Sequence, residues 1–294
     1  MTSREIRTLV IAVILFGLAA LLPFSGNGYF ISIGVTIAMY VVLSTSWALF
    51  SGPTHYISLA TAAFYGLGTM IVATGIETVP YVVLLLISAV AGALMAALVG
   101  LATLRLSGVY FVIFTLGLAE MIRQLVSWLQ NNLGGSRGLY VLTDLTEDHI
   151  YWELLALAAF VFLIGWWIGR SRLGFAMRII GNDETVAAHC GINTARSKIM
   201  LFMVSGMVAA LVGALLAPRW TYIEPNIAFS PLLSFEVVIM ALLGGTKRLW
   251  GPLVGVVPFT ILLEVIEANY PSQTILVLGI AFLLIVYLVP HGVV

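Results

Sequence analysis

The chain has 294 residues, of which 61% are hydrophobic and only 9% charged, with a net charge of zero. Soluble domains carry about 25% charged residues, so this composition excludes an ordinary water-facing surface and makes the lipid bilayer the expected solvent. The charge balance points to no nucleic-acid partner, and the single cysteine, Cys190, excludes an intrachain disulfide.

The first residues, Arg4, Glu5 and Arg7, precede an apolar run from Leu9 to Leu22. No small-x-small cleavage site follows in Pro23 to Gly28, so the run reads as a first transmembrane helix and not as a signal peptide. A helix crosses about 30 Å of hydrocarbon with roughly 20 apolar residues. Such stretches fall near 8–24, 29–49, 57–76, 80–104, 108–130, 150–169, 199–217, 231–246, 250–268 and 273–289. The expected fold is all-α: one membrane domain over 1–294, a polytopic helical bundle of about ten transmembrane helices. Segment 57–76 is rich in small and polar residues and 231–246 is short, so both are candidates for broken or re-entrant helices. Tyr151 and Trp152 at one end of the sixth span, and Trp166 and Trp167 at the other, fit the two headgroup belts. Gly92, Ala96 and Gly100 form a small-residue row in the fourth span. Ser205, Ala209, Gly213 and Ala217, beside Gly206, Ala210 and Ala214, form two more in the seventh, where helices approach closely.

Placing the N-terminus inside puts Arg4, Arg7, Arg105, Arg170, Arg172, Arg178, Arg196, Lys198, Lys247 and Arg248 on the cytoplasmic side. Only Arg137 and Arg219 then fall outside, with Arg123 in the membrane, so the expected orientation is N-in and C-in. The long connections are an outer loop at about 131–149 and an inner loop at about 170–198. The inner loop opens with a basic, apolar-interleaved stretch, Gly169 to Arg178, suited to lying along a surface. Within it Asn182 reads as an N-cap, Asp183 and Glu184 place negative charge in a first helical turn, and Gly191 reads as the stop. Isolated two-turn helices are marginal in water. Careful capping therefore points to something packed against this one, with Val186, Ala187 and Cys190 as a small apolar face for a partner's groove. A helix resting on its own bundle is the other reading.

Ionisable residues inside spans are expensive and mark candidate sites. Glu120 and Arg123 share a face of the fifth span at i, i+3, and either line a solute pathway or fix helix packing as an internal pair. Glu236 has the same two readings, and His55, after Gly52-Pro53-Thr54, is a structural residue or a proton relay. His149, His189 and His291 are dispersed, so no metal site is expected, and no spacing suits nucleophilic catalysis. The Gly134-Gly135-Ser136-Arg137-Gly138 turn offers backbone N–H groups to a carboxylate or a partner loop.

Several blocks then occur together. The inner loop carries Gly174-Phe175-Ala176-Met177-Arg178, Asp183-Glu184, Ala187-Ala188 and Gly191-Ile192-Asn193. Elsewhere stand Ser51-Gly52 to Gly68, Leu106 to Phe111 with Thr115, Leu116 and Glu120, Leu133 to Leu139, Leu243-Gly244-Gly245 with Leu249-Trp250-Gly251-Pro252, and Pro290-x-Gly292. In this order they resemble permease subunits of ABC importers for branched-chain amino acids, of the LivM type. Departures occur at Asn132-Leu133, at Thr246-Lys247-Arg248 and over Ser51 to Tyr56, all beside plausible solute-facing segments, so the solute stays open.

The resemblance implies that the inner loop is a coupling segment built from Gly174, Ala176, Arg178, Asp183, Glu184, Ala187, Ala188 and Gly191. It implies a second homologous permease, two ATP-binding subunits and an external solute-binding protein, in a bacterial or archaeal cytoplasmic membrane. The chain has no G-x-x-x-x-G-K-[ST] loop, so it is not expected to be an enzyme or to bind a cofactor. ATP and magnesium would sit on the partner. The expected cargo is a small polar solute, branched-chain amino acids first and urea or short amides second. The alternative is a stand-alone ion- or proton-coupled secondary transporter working through Glu120, Glu236 or His55.

Overall fold

The computed structural model describes residues 16–103, 108–134, 138–143, 145–246 and 248–288. Residues 8–15 of the first expected span, the cations Arg4, Arg7, Arg105, Arg137 and Lys247, and Gly135, Pro290 and Gly292 lie outside the described residues.

Helix α1, Gly28–Thr54, starts where the Asn27 side chain accepts the Tyr29 N–H at 3.1 Å. It stops after Pro53, where His55 turns left-handed at φ 59°. Then come α2 (Thr61–Gly75), α3 (Tyr81–Thr103) and α4 (Val109–Leu129). A two-residue strand β1 (Leu139–Tyr140) precedes α5 (Glu147–Arg170), α6 (Arg172–Asn182), α7 (Glu184–His189) and α8 (Thr194–Leu216). Strand β2 (Tyr222–Ile223), α9 (Pro225–Ala228), α10 (Pro231–Gly244), α11 (Gly251–Asn269) and α12 (Thr274–Leu288) complete the order. The strands pair antiparallel, Leu139 opposite Ile223, and add a small ribbon to the expected all-α fold.

Among the described residues, seven helical stretches are long and apolar enough to cross a bilayer. They are Gly28–Thr54, Tyr81–Thr103, Val109–Asn132, Glu147–Arg170, Thr194–Arg219, Pro225–Gly244 and Gly251–Asn269; Thr61–Gly75 is apolar but shorter. In α1, 72% of the apolar window is buried, against 22% in α4, so α1 lies central and α4 peripheral. On α3 the exposed residues Val82, Leu86, Val90, Leu94, Leu98 and Leu101 recur every three or four positions. Such an aliphatic stripe faces lipid.

The two irregular segments are interrupted inside the bundle. Residues 55–60 are not helical, although Ser58, Leu59 and Ala60 are buried. Pro231 has no N–H and disfavours helix at Ser230, which separates α9 from α10. The freed backbone groups find side chains. The Ser234 hydroxyl donates to Leu59 O at 2.9 Å and accepts the Ala62 N–H at 2.9 Å. Thr115 Oγ1 accepts the Leu59 N–H at 3.1 Å, and Trp47 Nε1 donates to Ser58 O at 2.8 Å.

The segment α6–α7 sits at one end of the bundle and the β1–β2 ribbon at the other. At the ribbon end Arg219 pairs with Glu147 at 3.2 Å and donates to Ser32 Oγ at 2.6 Å, joining the starts of α1 and α5. Between α10 and α11 the backbones touch. A Cβ on Gly255 would stand 2.5 Å from Gly244 N, and Gly245 adopts φ 94°, which favours glycine.

Helix α8 packs along α3 and α2 through its small-residue rows. A Cβ on Gly92 would lie 2.5 Å from Ala210 Cβ and 2.7 Å from Gly206 O. The variant Gly92→Ala is expected to lose about 1–3 kcal/mol by forcing the helices apart. Gly117→Ala, which meets nothing within 4 Å, is expected to be neutral or stabilising. Thermal unfolding of the two variants in detergent checks the contrast.

Candidate functional site

Helix α6 is joined to the end of α5 by one capping residue. The Ser171 hydroxyl accepts the Gly174 N–H at 3.3 Å and donates to Ile168 O at 2.8 Å. A side chain at Gly174 would overlap Ile168 O. Arg178 donates from Nε to Gly174 O at 3.3 Å and from Nη2 to Gly169 O at 3.1 Å, the latter a carbonyl of the last turn of α5. Met177 and Ile180 turn inward, Ala176 is half-buried, and Phe175 is 62% exposed.

The two-turn helix expected after residue 182 is α7, with one correction at its start. Asn182 is the last residue of α6, and Asp183 is the cap: its carboxylate accepts the N–H groups of Thr185 at 2.8 Å and Val186 at 3.2 Å. These backbone donors hold the Asp183 carboxyl below the usual carboxylate range. At the far end Gly191 takes φ 79°. The Gly191 N–H bonds Ala188 O at 3.0 Å and the Ile192 N–H bonds Ala187 O at 3.1 Å, a Schellman stop. The apolar face also needs correction. Ala187 is fully buried against its own chain, whereas Val186, Ala188 and Cys190 are exposed. With a 100° step between residues, Val186 and Ala187 cannot both face a partner while one of them fills the chain's own core.

Three residues clamp α7 to the bundle. Glu184 Oε1 pairs with Lys198 Nζ at 2.7 Å, and the Tyr56 hydroxyl donates to Glu184 Oε2 at 3.3 Å. Lys198 is only 1% exposed, and its ammonium lies 4.7 Å from the Tyr56 ring centroid. Burial pushes the Glu184 carboxyl up, but the Lys198 hydrogen bond and charge, with the Thr194 and Tyr56 hydroxyls, outweigh it and hold it below its usual range. Beside this clamp His55 Nδ1 lies 3.1 Å from Gly181 O, so Nδ1 carries the hydrogen, because a carbonyl only accepts. Sequence reasoning placed Lys198 among the cytoplasmic-side cations and gave Tyr56 no role. Glu184 and Lys198 stand 14 residues apart, a spacing that no periodicity flags.

The polar groups of the bundle form two further places. Glu120 and Arg123 make the expected i, i+3 ion pair. Gln124 Nε2 donates to Glu120 Oε1 at 3.0 Å, and Arg123 Nη1 reaches Asn226 Oδ1, linking α4 to α9. Glu236 lies elsewhere, 6% exposed, accepting the Tyr40 hydroxyl at 2.5 Å. The structure therefore does not bring Glu120, Glu236 and His55 together. Gly134 ends a π-helical turn over Gln130–Gly134, while Gly135 and Arg137 lie outside the described residues. Among the described residues no three His, Cys, Asp or Glu side chains cluster as metal ligands.

A family model described as "Branched-chain amino acid transport system / permease component" matches residues 29–289. The chain belongs to this family. It is 23% identical to the LivM permease of the high-affinity branched-chain amino acid transport system of Escherichia coli over 314 residues, 95% of this chain and 73% of LivM. It is 30% identical to the LivH permease of the same organism over 149 residues, half of this chain and 47% of LivH. A probable ABC transporter permease of Escherichia coli, YphD, is 32% identical over 115 residues, 37% of this chain and a third of YphD. No solved structure matches. With seven apolar helices among its described residues, the chain is a multi-pass membrane permease of the branched-chain amino acid ABC transport family.

Replacing Lys198 by Met removes a buried cation and its attraction to Glu184 together. Global stability is expected to change by about 1 kcal/mol or less, because Glu184 is partly solvated. Amide protection over 184–189 should fall, which hydrogen exchange reads. Acid acts the same way. The folded Glu184 carboxyl is depressed, so its contribution is complete above the usual carboxylate range and is lost as pH falls through the depressed value. Protection of α7, corrected for intrinsic exchange, is expected to drop in that window, and Glu184→Gln should reduce the pH dependence to the part that the Asp183 cap contributes.

Proposed function

We propose that this chain is the membrane-spanning permease subunit of an ATP-driven importer, and that α6–α7 receives a separate ATP-binding subunit. The observation that carries this reading is the asymmetry of α7. One side is clamped through Glu184, Lys198 and Tyr56 to α8 and to the break after α1. The other side, with Phe175 of α6 and Val186 of α7, presents exposed apolar side chains at the end of the bundle. A push on α7 is thereby delivered to α8 and to the chain that leads into α2. This end faces the cytoplasm, both termini lie inside, and about ten helices cross the membrane. ATP and magnesium belong to the docked subunit, and the permease itself binds no cofactor and catalyses no reaction. A second permease and an external solute-binding protein complete the assembly.

The cargo is a small polar solute entering the cell, with branched-chain amino acids first and urea or short amides second. The relatives named for branched-chain amino acids support that order. The half-exposed Glu120–Arg123–Asn226 group, with opposite charges side by side, is suited to a zwitterion passing α4.

One observation favours a second reading, a proton-coupled transporter that works alone: the buried Glu236 carboxyl against Tyr40. Uptake by the purified chain alone, driven by a proton gradient, would support it.

The docking test belongs on the outward residues, because Ala187→Glu would unseat α7 from its own bundle. Val186→Glu and Phe175→Glu are expected to cut ATP-driven uptake by the complete transporter about tenfold or more. Insertion and thermal stability should stay unchanged. Wild-type uptake in both variants would sink the docking role.

A further inference from the structure

Behind the coupling segment lies a cavity of about 510 Å³, within the range of small-molecule sites. Its walls come from α1, α5, α6, α8 and the turn after α10. Leu49 and Leu249 are among its apolar lining, while His55, Arg178 and Arg248 supply its basic groups. No described residue that lines it carries a carboxylate. Thr45 also lines it, nine residues before the end of α1 and so about 13 Å up the helix. Thr45 is 1% exposed, and its Oγ1 has no hydrogen-bond partner. Buried hydroxyls are nearly always paired, so one left open on a cavity wall marks a place where a ligand atom belongs.

We infer that this cavity binds a small amphipathic anion, a carboxylate or phosphate carried on an aliphatic body. The acidic head meets the guanidinium groups of Arg178 and Arg248, which match its planar or tetrahedral oxygens. Arg178 uses Nε and Nη2 on backbone carbonyls and keeps Nη1 for the occupant. The aliphatic body lies along Leu49 and Leu249, and a polar atom of the ligand reaches Thr45 Oγ1. Free short-chain carboxylates and the headgroup of an anionic lipid share this chemistry. Because α6 forms one wall, an occupant also sets how far α6 can move against α1. That regulatory consequence rests on the coupling reading above, whereas binding itself does not.

The experiment uses the full chain in nanodiscs and follows tryptophan fluorescence, since Trp47 and Trp250 each adjoin a lining residue in sequence. In one arm, discs of phosphatidylcholine alone are titrated with 6-hydroxyhexanoate, whose terminal hydroxyl is the polar atom for Thr45. In the other, phosphatidylglycerol is added to the discs in increasing proportion. A saturable response is expected that weakens about tenfold in Thr45→Val and in Arg248→Gln and returns in Thr45→Ser. The arm in which it occurs identifies the source, free carboxylate or lipid headgroup. Thr45→Val removes no existing hydrogen bond, so thermal stability without ligand should not fall. A merely structural threonine would lower it. No saturable response in either arm, or equal affinity in wild type and Thr45→Val, overturns the site. The readout is independent of ATP, so such a failure would leave the permease reading standing.

Discussion

A peptide group inside an apolar bundle has no water to turn to, and this constraint shapes the centre of the permease. Two helices, α2 and α10, begin inside the protein and not at a surface. Each start frees backbone groups that a continuous helix would pair internally. One hydroxyl on α10 satisfies two of those freed at the start of α2. Ser234, three residues beyond Pro231, bonds Leu59 O and the Ala62 N–H at once, so the first turn of α10 completes the first turn of α2. Thr115 of α4 accepts the Leu59 N–H and Trp47 of α1 donates to Ser58 O. Four elements therefore meet at one short extended segment, and none can shift there without unpairing a buried amide.

The same segment leads directly to the α6–α7 end. Five residues before Ala60, His55 leaves α1 in a left-handed conformation and meets Gly181 of α6. Tyr56 follows and meets Glu184 of α7 and Lys198 of α8. The buried pair Glu184–Lys198 is weak evidence for stability, since desolvating the ammonium offsets much of the attraction. Its value is positional. An ammonium enclosed by a carboxylate, a phenol hydroxyl and an aromatic face has one place to be. That fixes the register of α7 against α8 more sharply than apolar contact between a six-residue helix and its support.

Much of this was legible in the sequence because membranes impose strong patterns. The low charge, the apolar runs and the small-residue rows gave the bundle and the α3–α8 contact. The glycines around Leu243 and Trp250 have physical causes in the α10–α11 contact and the positive φ of Gly245. The two irregular spans were read as candidates for broken or re-entrant helices; α2 starts only at Thr61, inside the first, whereas α10 runs unbroken from Pro231 to Gly244 and the interruption lies just before it. The partners that mend the breaks were not legible, because Ser234, Thr115 and Trp47 act across 11 to 175 residues and leave no periodic trace. The cap of α7 was read one residue early, since Asn182 and Asp183 are both good caps and only the chain path chooses. Ala187 was read as outward because alanine suits either face. Lys198 was read only as a cytoplasmic-side cation, because charge alone does not reveal a buried partner.

The placement of smooth and locked contacts suggests how motion would travel. Between α3 and α8 the close neighbours are glycine and alanine, Gly92 and Ala96 against Gly206 and Ala210. Such a surface resists separation yet offers few steric steps to sliding. At the ends of α1 the contacts are directional: Arg219 with Glu147 and Ser32 at one end, His55 with Gly181 at the other. A helix held at both ends and flanked by a smooth seam favours shear of α8 over unwinding of α1. The Ser234 junction then becomes the point where shear is felt, because the extended segment 55–60 is the one stretch of described backbone between the clamp and α2 that is not stiffened by helical hydrogen bonds.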